Sequence, residues 1–301
     1  MQNKMQTKLA RTKEPSRKWE SIQRNWYKFS RNPLSIVGLV LVCTIIFIAI
    51  FAPYISPHPE SAGKFVNFSD TCDPPSWAHP FGTDRFGRDV LTRTLYGYRY
   101  SLGMALMVIS IMGPTGIILG LVAGYHRNTW IDTVIMRVTD VFIAVPPLIL
   151  ALAVCSVLTP SIFNAMLAIC VAWWPWYTRM VYEITCSLKN EFFVQAAELT
   201  GASKIHILFR EILPNCAASI LTKMSLDVGW VILIGAALSF VGLGAQPPTP
   251  DLGTLVADAS SYLPDLWWEA VFPAFAIMMA VLAFNLLGDG IDDMLGEEKG
   301  G

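Results

Sequence analysis

Six long apolar segments restrict this chain to very few folds. They lie near residues 34–54, 100–125, 133–158, 162–182, 217–243 and 271–290. Each reaches the roughly 20 residues that a helix rising about 1.5 Å per residue needs to cross a bilayer core. Because lipid offers no hydrogen-bond partners and no alternating strand pattern is present, helices are the remaining way to satisfy the backbone. The sequence therefore predicts an all-α membrane protein with six transmembrane helices.

Composition agrees with a membrane location and excludes one class of partner. Of the 301 residues, 53% are hydrophobic and 15% are charged, against roughly 25% charged in an ordinary soluble domain. The formal net charge is -1, so the chain has no basic field for binding nucleic acid. We expect a multi-pass protein surrounded by membrane lipid, without a nucleic-acid partner.

The distribution of charges predicts the orientation of the helices. Nine Lys and Arg residues but only two acids precede the first apolar segment, and the positive-inside rule places such a tail in the cytoplasm. Alternation then gives a basic cytoplasmic tail at 1–33, a first transmembrane helix at 34–55, an external loop at 56–99, a core of five further helices at 100–290 and a cytoplasmic end at 291–301. Within the core, 183–216 is predicted to be cytoplasmic and 244–270 external. Both termini are thus expected in the cytoplasm, as in a plasma or inner membrane protein.

The segment 191–215, EFFVQAAELTGASKIHILFREILPN, is polar enough to lie outside the bilayer between two apolar runs. We expect Asn190 to cap a first helix that Gly201 ends, and Pro214 to stop a second helix. The result is a short protruding hairpin on the cytoplasmic side. Two interpretations remain open: the small face of Ala196 and Ala197 inserts into the groove of a partner protein, or the segment rests on lipid headgroups.

Charged residues inside the apolar segments need a partner or access to water, because each costs about 2.5–3.5 kcal/mol near the bilayer centre. Arg137 and Asp140 are spaced to pair with each other on one helix face. Arg179 lies near the inner end of its segment, where it can reach the headgroups. Asp227 has no evident local partner, so it either lines a translocation path or caps a contact between helices. We keep it as a candidate pathway residue.

Glycines recur every fourth residue in the second apolar segment, at Gly116, Gly120 and Gly124. Such a stripe of small residues lets another helix approach closely in a membrane. Packing within the same chain is favoured over a contact between subunits.

Histidines are few, and their spacing does not resemble that of metal ligands. They are His58, His79, His126 and His206. We therefore predict no metal site.

At the hairpin the chain resembles the permease subunits of bacterial and archaeal ABC importers, in particular the C-type subunit of the dipeptide, oligopeptide and nickel group. The cytoplasmic signature of that family begins with Glu-Ala-Ala, followed after three further residues by Gly. It ends near the pattern Ile-x-x-x-His-x-Leu-Pro. The similar stretches here are Gln195, Ala196, Ala197 and Gly201, followed by 207–214, together with 81–89, 237–244, 246–250 and 284–290. The resemblance covers residues 32–293, and it departs from the signature where Gln195 replaces Glu and Glu211 replaces His.

The resemblance implies a type I importer permease fold, in which 100–290 is the permease core and a coupling helix lies within 183–216. It also implies partners: a second homologous permease subunit, two cytoplasmic ATPases and an extracellular or periplasmic substrate-binding protein. The residues expected to couple to an ATPase are Gln195, Ala196, Ala197, Glu198, Gly201, Ala202, Glu211 and Pro214. The chain lacks a G-x-x-x-x-G-K-[ST] phosphate loop, so ATP and Mg²⁺ would bind to the partner ATPases. We expect no catalytic residue and no cofactor in this chain.

Two other classes of protein compete with an importer subunit. A self-contained secondary transporter would bind its coupling ion with charges at mid-membrane and often shows inverted repeats, whereas this sequence offers Asp227 and no visible repeat. A membrane-embedded enzyme would need a motif such as H-E-x-x-H or G-x-S-x-G, and neither is present. For the substrate, the resemblance favours dipeptides or oligopeptides, with nickel complexes, glutathione and opines as alternatives.

Overall fold

Helices account for most of residues 17–295, the part of the chain that this computed structural model describes. They are α1 Arg17–Arg31, α2 Pro33–Ile55, α3 Val90–Tyr125, α4 Trp130–Ile143, α5 Pro147–Val157, α6 Ile162–Leu188, α7 Phe192–Leu199, α8 Lys204–Phe240, α9 Leu252–Ser260 and α10 Trp267–Leu295. Short 3₁₀ turns at Pro59–Ala62 and Phe68–Asp70 lie in the loop after α2. Residues 1–16 of the predicted tail and 296–301 of the predicted C-terminal segment lie outside the described residues.

Two ends of the bundle can be distinguished. The hairpin end carries residues 191–215, and the elbow end carries the loops 56–89 and 241–266. α3 and α8 run between the two ends. A continuous helix, α3 or α8, therefore joins the contacts at the hairpin end to those at the elbow end.

Four of these helices are long and apolar enough to cross a membrane, namely α2, α3, α8 and α10. α4 and α5 raise the number to five if together they form one bent crossing. α6, which contains the predicted segment 162–182, has 27 residues, but Trp173, Trp174, Trp176 and Arg179 make its second half less apolar. Among the described residues, length and composition therefore assign four or five spans where the sequence predicts six.

The predicted segment 133–158 is not one straight helix. α4 ends at Ile143, α5 begins at Pro147, and their directions differ by 88°. Pro146 and Pro147 cause the break, because proline lacks a backbone N–H and pushes the residue before it out of the helical region. The apolar segment is thus divided into two helices, and the chain changes direction at residues 144–146.

The sequence predicts that the second apolar helix begins near residue 100, but α3 begins at Val90. The Asp89 carboxylate fixes this start by accepting a hydrogen bond from the Thr92 backbone N–H at 2.7 Å, as N-cap residues do. Residues 90–99 are therefore helical where the sequence predicts a loop.

A buried ion cluster holds the elbow that leads into α3. The Asp84 carboxylate accepts hydrogen bonds from the backbone N–H groups of Phe86 and Arg88, each at 2.9 Å. It also lies 2.6 Å from Arg88 Nε and 3.8 Å from Arg93 Nε. Because all three charged side chains are buried, the elbow has a fixed conformation relative to α3.

α3 and α6 pack closely along the glycine stripe. A Cβ atom added to Gly116 would lie 2.5 Å from Tyr177 Cβ, and one added to Gly124 would lie 2.6 Å from Thr185 Cβ. These distances are shorter than van der Waals contact, so the two helices can approach this closely only at glycine. The stripe serves packing within the chain, as predicted.

Replacing Gly120 with alanine is expected to destabilise the bundle by about 1–3 kcal/mol, as overpacking does. The new methyl group would lie 2.7 Å from the Thr178 carbonyl oxygen and 2.8 Å from Val181 Cβ. Gly103 on the same helix is a matched control, because a Cβ atom there has no neighbour within 4 Å. Thermal unfolding of the purified chain in detergent measures both variants. Equal unfolding temperatures for the two variants would contradict the packing described here.

The loop after α8 folds into the elbow end. The Asp251 carboxylate caps α9 by accepting hydrogen bonds from the N–H groups of Gly253 and Thr254 at 3.1 and 3.3 Å. Leu252 is fully buried, and a side chain on Gly253 would collide with the backbone of Ala236 on α8. α9 is thus wedged against the bundle.

Candidate functional site

The segment 191–215 forms the predicted hairpin. α7 spans Phe192–Leu199, and Gly201 follows it with a φ of +81°, a left-handed conformation that glycine adopts easily. Ser203 then caps α8 by accepting a hydrogen bond from the His206 backbone N–H at 3.3 Å. Gly201 ends the first helix, as expected from the sequence.

Asn190 does not cap α7, which corrects the prediction. Its side-chain amide donates to the carbonyl oxygen of Cys186 at 3.4 Å and so closes the end of α6. Glu191 occupies the cap position without a side-chain bond. The Asn190 carbonyl accepts a hydrogen bond from Gln195 Nε2 at 3.0 Å, so a predicted coupling residue holds the start of α7.

Pro214 does not stop the second helix, which is a further correction. Residues Ile207–Ile212 form a π turn, and the helix continues through Leu213–Phe240. A π turn shifts the hydrogen-bond register by one residue, which accommodates the N–H group that proline lacks. Pro214 lies in the first turn of the continuing helix, so the hairpin is joined to the bundle without a loop.

One face of the hairpin, the inner face, packs into an apolar cluster at the ends of α3 and α6. The cluster consists of Leu121, Tyr125, Val181, Val194, Ile207, Leu208, Ile212, Cys216 and Ile220. Ala197 and Ala202 pack against it. The hairpin is therefore an integral part of the folded bundle.

Polar contacts also connect α7 to the end of α3. The Tyr125 hydroxyl donates to Glu198 Oε1 at 3.0 Å. Lys189 Nζ donates to the Tyr125 carbonyl oxygen at 2.6 Å and lies 5.1 Å from the centre of the Tyr125 ring. A displacement of α7 therefore acts directly on α3.

The opposite face of the hairpin, the outer face, exposes apolar side chains. Phe192, Leu199 and Ile205 are 86%, 89% and 71% exposed, and Gln195 and Ala196 are exposed on the same helix. Large apolar groups that cluster on a surface mark a contact with a protein or a membrane. Ala196 has a small side chain, so it permits close approach of another backbone.

The predicted coupling residues are divided between exposed and half-buried positions. Exposed are Gln195, Ala196, Glu198, Gly201 and Pro214, whereas Ala197, Ala202 and Glu211 are half-buried. The Glu211 carboxylate lies 3.5 Å from His206 Nε2. The acid that replaces the histidine of the family signature thus has a histidine of this chain beside it.

Asp227 lies apart from the hairpin and has a partner, contrary to the prediction. Lys223 Nζ, one turn earlier on α8, lies 3.2 Å from Asp227 Oδ2 and 3.3 Å from Oδ1. Asp227 is only 2% exposed, and Lys223 Nζ also lies 5.2 Å from the ring centre of Tyr177 on α6. A groove of about 340 Å³ opens beside the pair, with Thr222 and Asp292 among its lining residues.

Asp140 pairs with Arg179, whereas the sequence predicts a pair with Arg137. One Asp140 oxygen lies 2.6 Å from the Arg179 guanidinium, which also lies 3.5 Å from Glu183. The pair joins α4 to α6.

Comparisons with known families support this architecture over two stretches of the chain. The family described as "Binding-protein-dependent transport system inner membrane component" matches residues 116–298. A second family, the "N-terminal TM domain of oligopeptide transport permease C", matches residues 21–73. Together they include the hairpin and most of the bundle, whereas residues 74–115, with the first part of α3, lie outside both matches.

Curated relatives are similar at high coverage. The dipeptide transport system permease protein DppC of Alkalihalophilus pseudofirmus is 41% identical over 89% of this chain and 87% of its own. Dipeptide transport system permease protein DppC of Escherichia coli K12 is 42% identical over 91% and 92%. The di/tripeptide transport system permease protein DppC of Pseudomonas aeruginosa is 39% identical over 90% of each chain.

A solved structure supports the fold. An inward-facing conformation of the MetNI methionine ABC transporter matches with a TM-score of 0.57 and 16% identity, over 69% of this chain and 98% of the other. Bundle and hairpin together define the membrane-embedded permease subunit of an ABC importer, which leaves ATP hydrolysis to a separate subunit. The chain belongs to the family of binding-protein-dependent transport system inner membrane components, and its relatives are C-type permeases. The fold and family predicted from the sequence are confirmed.

Proposed function

We propose that this chain forms half of a transmembrane pathway for dipeptides or oligopeptides, paired with one homologous permease subunit. The outer face of the hairpin docks in a groove of a cytoplasmic ATPase, and two such ATPases drive the assembly. An extracellular or periplasmic binding protein delivers the substrate at the elbow end.

The observation that carries the docking proposal is the two-sided hairpin. Its inner face is buried in the bundle, while Phe192 and Leu199 are exposed at helical spacing from Ala196 on α7, and Ile205 is exposed at the start of α8. An apolar face on a rigid element fits a helix-in-groove contact. The fixed connection of α7 to α3 through Tyr125 and Glu198 lets such a contact transmit force.

The orientation is also part of the proposal. The basic tail at 1–33 and the positive-inside rule support a cytoplasmic location for the N-terminus, the hairpin end and the C-terminus. The elbow end then lies outside, within reach of a binding protein.

The choice of peptides rests on the names of the relatives, which are dipeptide and di/tripeptide permeases. Nickel complexes, glutathione and opines are the alternative cargoes for the same architecture. A self-contained secondary transporter is the alternative of a different class.

Reconstitution of the complete importer into liposomes tests the proposal. Uptake of a labelled dipeptide is expected only when ATP, both ATPases and the binding protein are present. ATP-independent uptake by the purified chain alone would refute the importer assembly. A binding protein that binds no peptide in calorimetric titration would overturn the substrate and leave the assembly intact.

A further inference from the structure

The elbow end brings together two histidines and an aspartate that the sequence leaves unconnected. One potential ligand atom from each of His58, His79 and Asp89 lies within 4.8 Å of the others. The His58 and His79 rings are 4.6 Å apart between centres. Residue spacing in the sequence does not reveal this group, because its members come together only when the loop after α2 folds back onto the start of α3.

The geometry between His79 and Asp89 suits two ligands of one cation. His79 Nδ1 lies 3.0 Å from Asp89 Oδ1. Nitrogen and oxygen ligands about 2.0–2.2 Å from a Zn²⁺ ion at ordinary bond angles are separated by about 3.0–3.5 Å. The other oxygen of Asp89 accepts the Thr92 backbone N–H at 2.7 Å, which fixes the orientation of the carboxylate.

His58 has the environment of a metal ligand with a supporting partner. Its Nε2 lies 3.2 Å from the Ala78 carbonyl oxygen, and metal-binding histidines commonly donate their other ring N–H to a carbonyl in this way. The remaining Nδ1 lies 3.5 Å from a carboxylate oxygen of Glu60. When Nε2 carries the proton, the lone pair of His58 Nδ1 faces the Glu60 carboxylate oxygen. A nearby cation would relieve the repulsion between these two atoms.

Burial differs among these residues in a way that suits an open site. The Asp89 side chain is fully buried and that of His79 is 14% exposed, whereas that of His58 is 34% exposed. A cation could therefore enter from the His58 side and retain a water ligand. Imidazole and carboxylate ligands together select divalent transition metals such as Zn²⁺.

We propose that His58, His79 and Asp89 bind a divalent transition-metal cation at the elbow end, with Glu60 beside the site. The cation links the loop after α2 to the first turn of α3. This site is distinct from the hairpin and from the groove beside Asp227, so it does not depend on the proposed function.

Zn²⁺ titration of the full-length chain, purified in detergent without a polyhistidine tag, tests this assignment. Calorimetry is expected to show one Zn²⁺ per chain, and thermal unfolding is expected to shift to higher temperature when Zn²⁺ is added. His58→Ala is expected to weaken Zn²⁺ binding at least about tenfold. Its unfolding temperature without Zn²⁺ should fall only slightly, because the partly exposed His58 side chain makes one hydrogen bond, to the Ala78 carbonyl, and no cap bond to the 3₁₀ turn that follows it.

The matched control is His206→Ala, which removes a histidine of similar exposure beside Glu211 at the hairpin end. It should leave Zn²⁺ binding unchanged. His79→Gln provides a second variant that preserves the cap of α3 by Asp89. Absence of Zn²⁺ binding by the wild type, unchanged binding by both His58→Ala and His79→Gln, or loss of binding only in His206→Ala would each overturn the proposal.

Discussion

Replacing Ala196 with tryptophan is expected to abolish co-purification of the ATPase subunits and to lower ATP-driven uptake at least about tenfold, the effect of a loss of about 1.4 kcal/mol at the docking contact. The side chain of Ala196 is exposed on the outer face of the hairpin. An indole there would prevent the close approach of a partner groove without disturbing the bundle. Affinity purification of the whole importer and uptake into liposomes measure the two effects.

The control for this variant is Ala78→Trp, which adds the same group to an exposed position at the elbow end. Recovery of the ATPases should be unchanged in this control. Ala197 is a poorer test position than the sequence suggests, because it packs against the apolar cluster under the hairpin. If Ala196→Trp retains both the ATPases and normal uptake, the outer face is not the docking surface.

Removing the carboxylate of Asp227 is expected to destabilise the chain by about 3–5 kcal/mol, as breaking a buried ion pair does. The Asp227 side chain is only 2% exposed, so it has little water to replace its partner. Asp227→Ala leaves the Lys223 ammonium without its partner. Thermal or denaturant unfolding in detergent measures the loss.

The double variant Lys223→Met/Asp227→Leu separates a structural role from a role in transport. Replacing both partners with apolar residues of similar size avoids the unpaired charge, so stability should return to near the wild-type value. If the groove beside the pair is part of the pathway, the restored protein should still transport peptide at least about tenfold more slowly, a difference of about 1.4 kcal/mol. Wild-type uptake by a stable double variant would show that the pair only holds α8 in place.

The hairpin could be predicted from the sequence because its signals are local. A polar segment between apolar runs identifies residues 191–215 as lying outside the bilayer, and Gly201 marks the turn. The exposed trio of Phe192, Leu199 and Ile205 could not be predicted. Helices this short have no strong periodicity, and only the packing of α3 and α6 decides which face is buried.

Other misses have separate physical causes. The ion pair of Lys223 and Asp227 could have been predicted, since the spacing of four residues places both on one helix face. The continuation of the helix through Pro214 could not have been predicted, because a π turn leaves no clear mark in the sequence. The meeting of His58 and His79 depends on how a long loop folds, which residue spacing does not reveal.

The continuity of α8 has a mechanical consequence. The 37 residues of Lys204–Phe240 form one rod that is about 55 Å long at about 1.5 Å per residue. A tilt of about 5° around its hairpin end would carry the far end sideways by about 5 Å. The π turn at Ile207–Ile212 lies next to that fulcrum. By geometry alone, a small rotation at the hairpin end has its largest displacement at the far end, where α9 packs against Ala236.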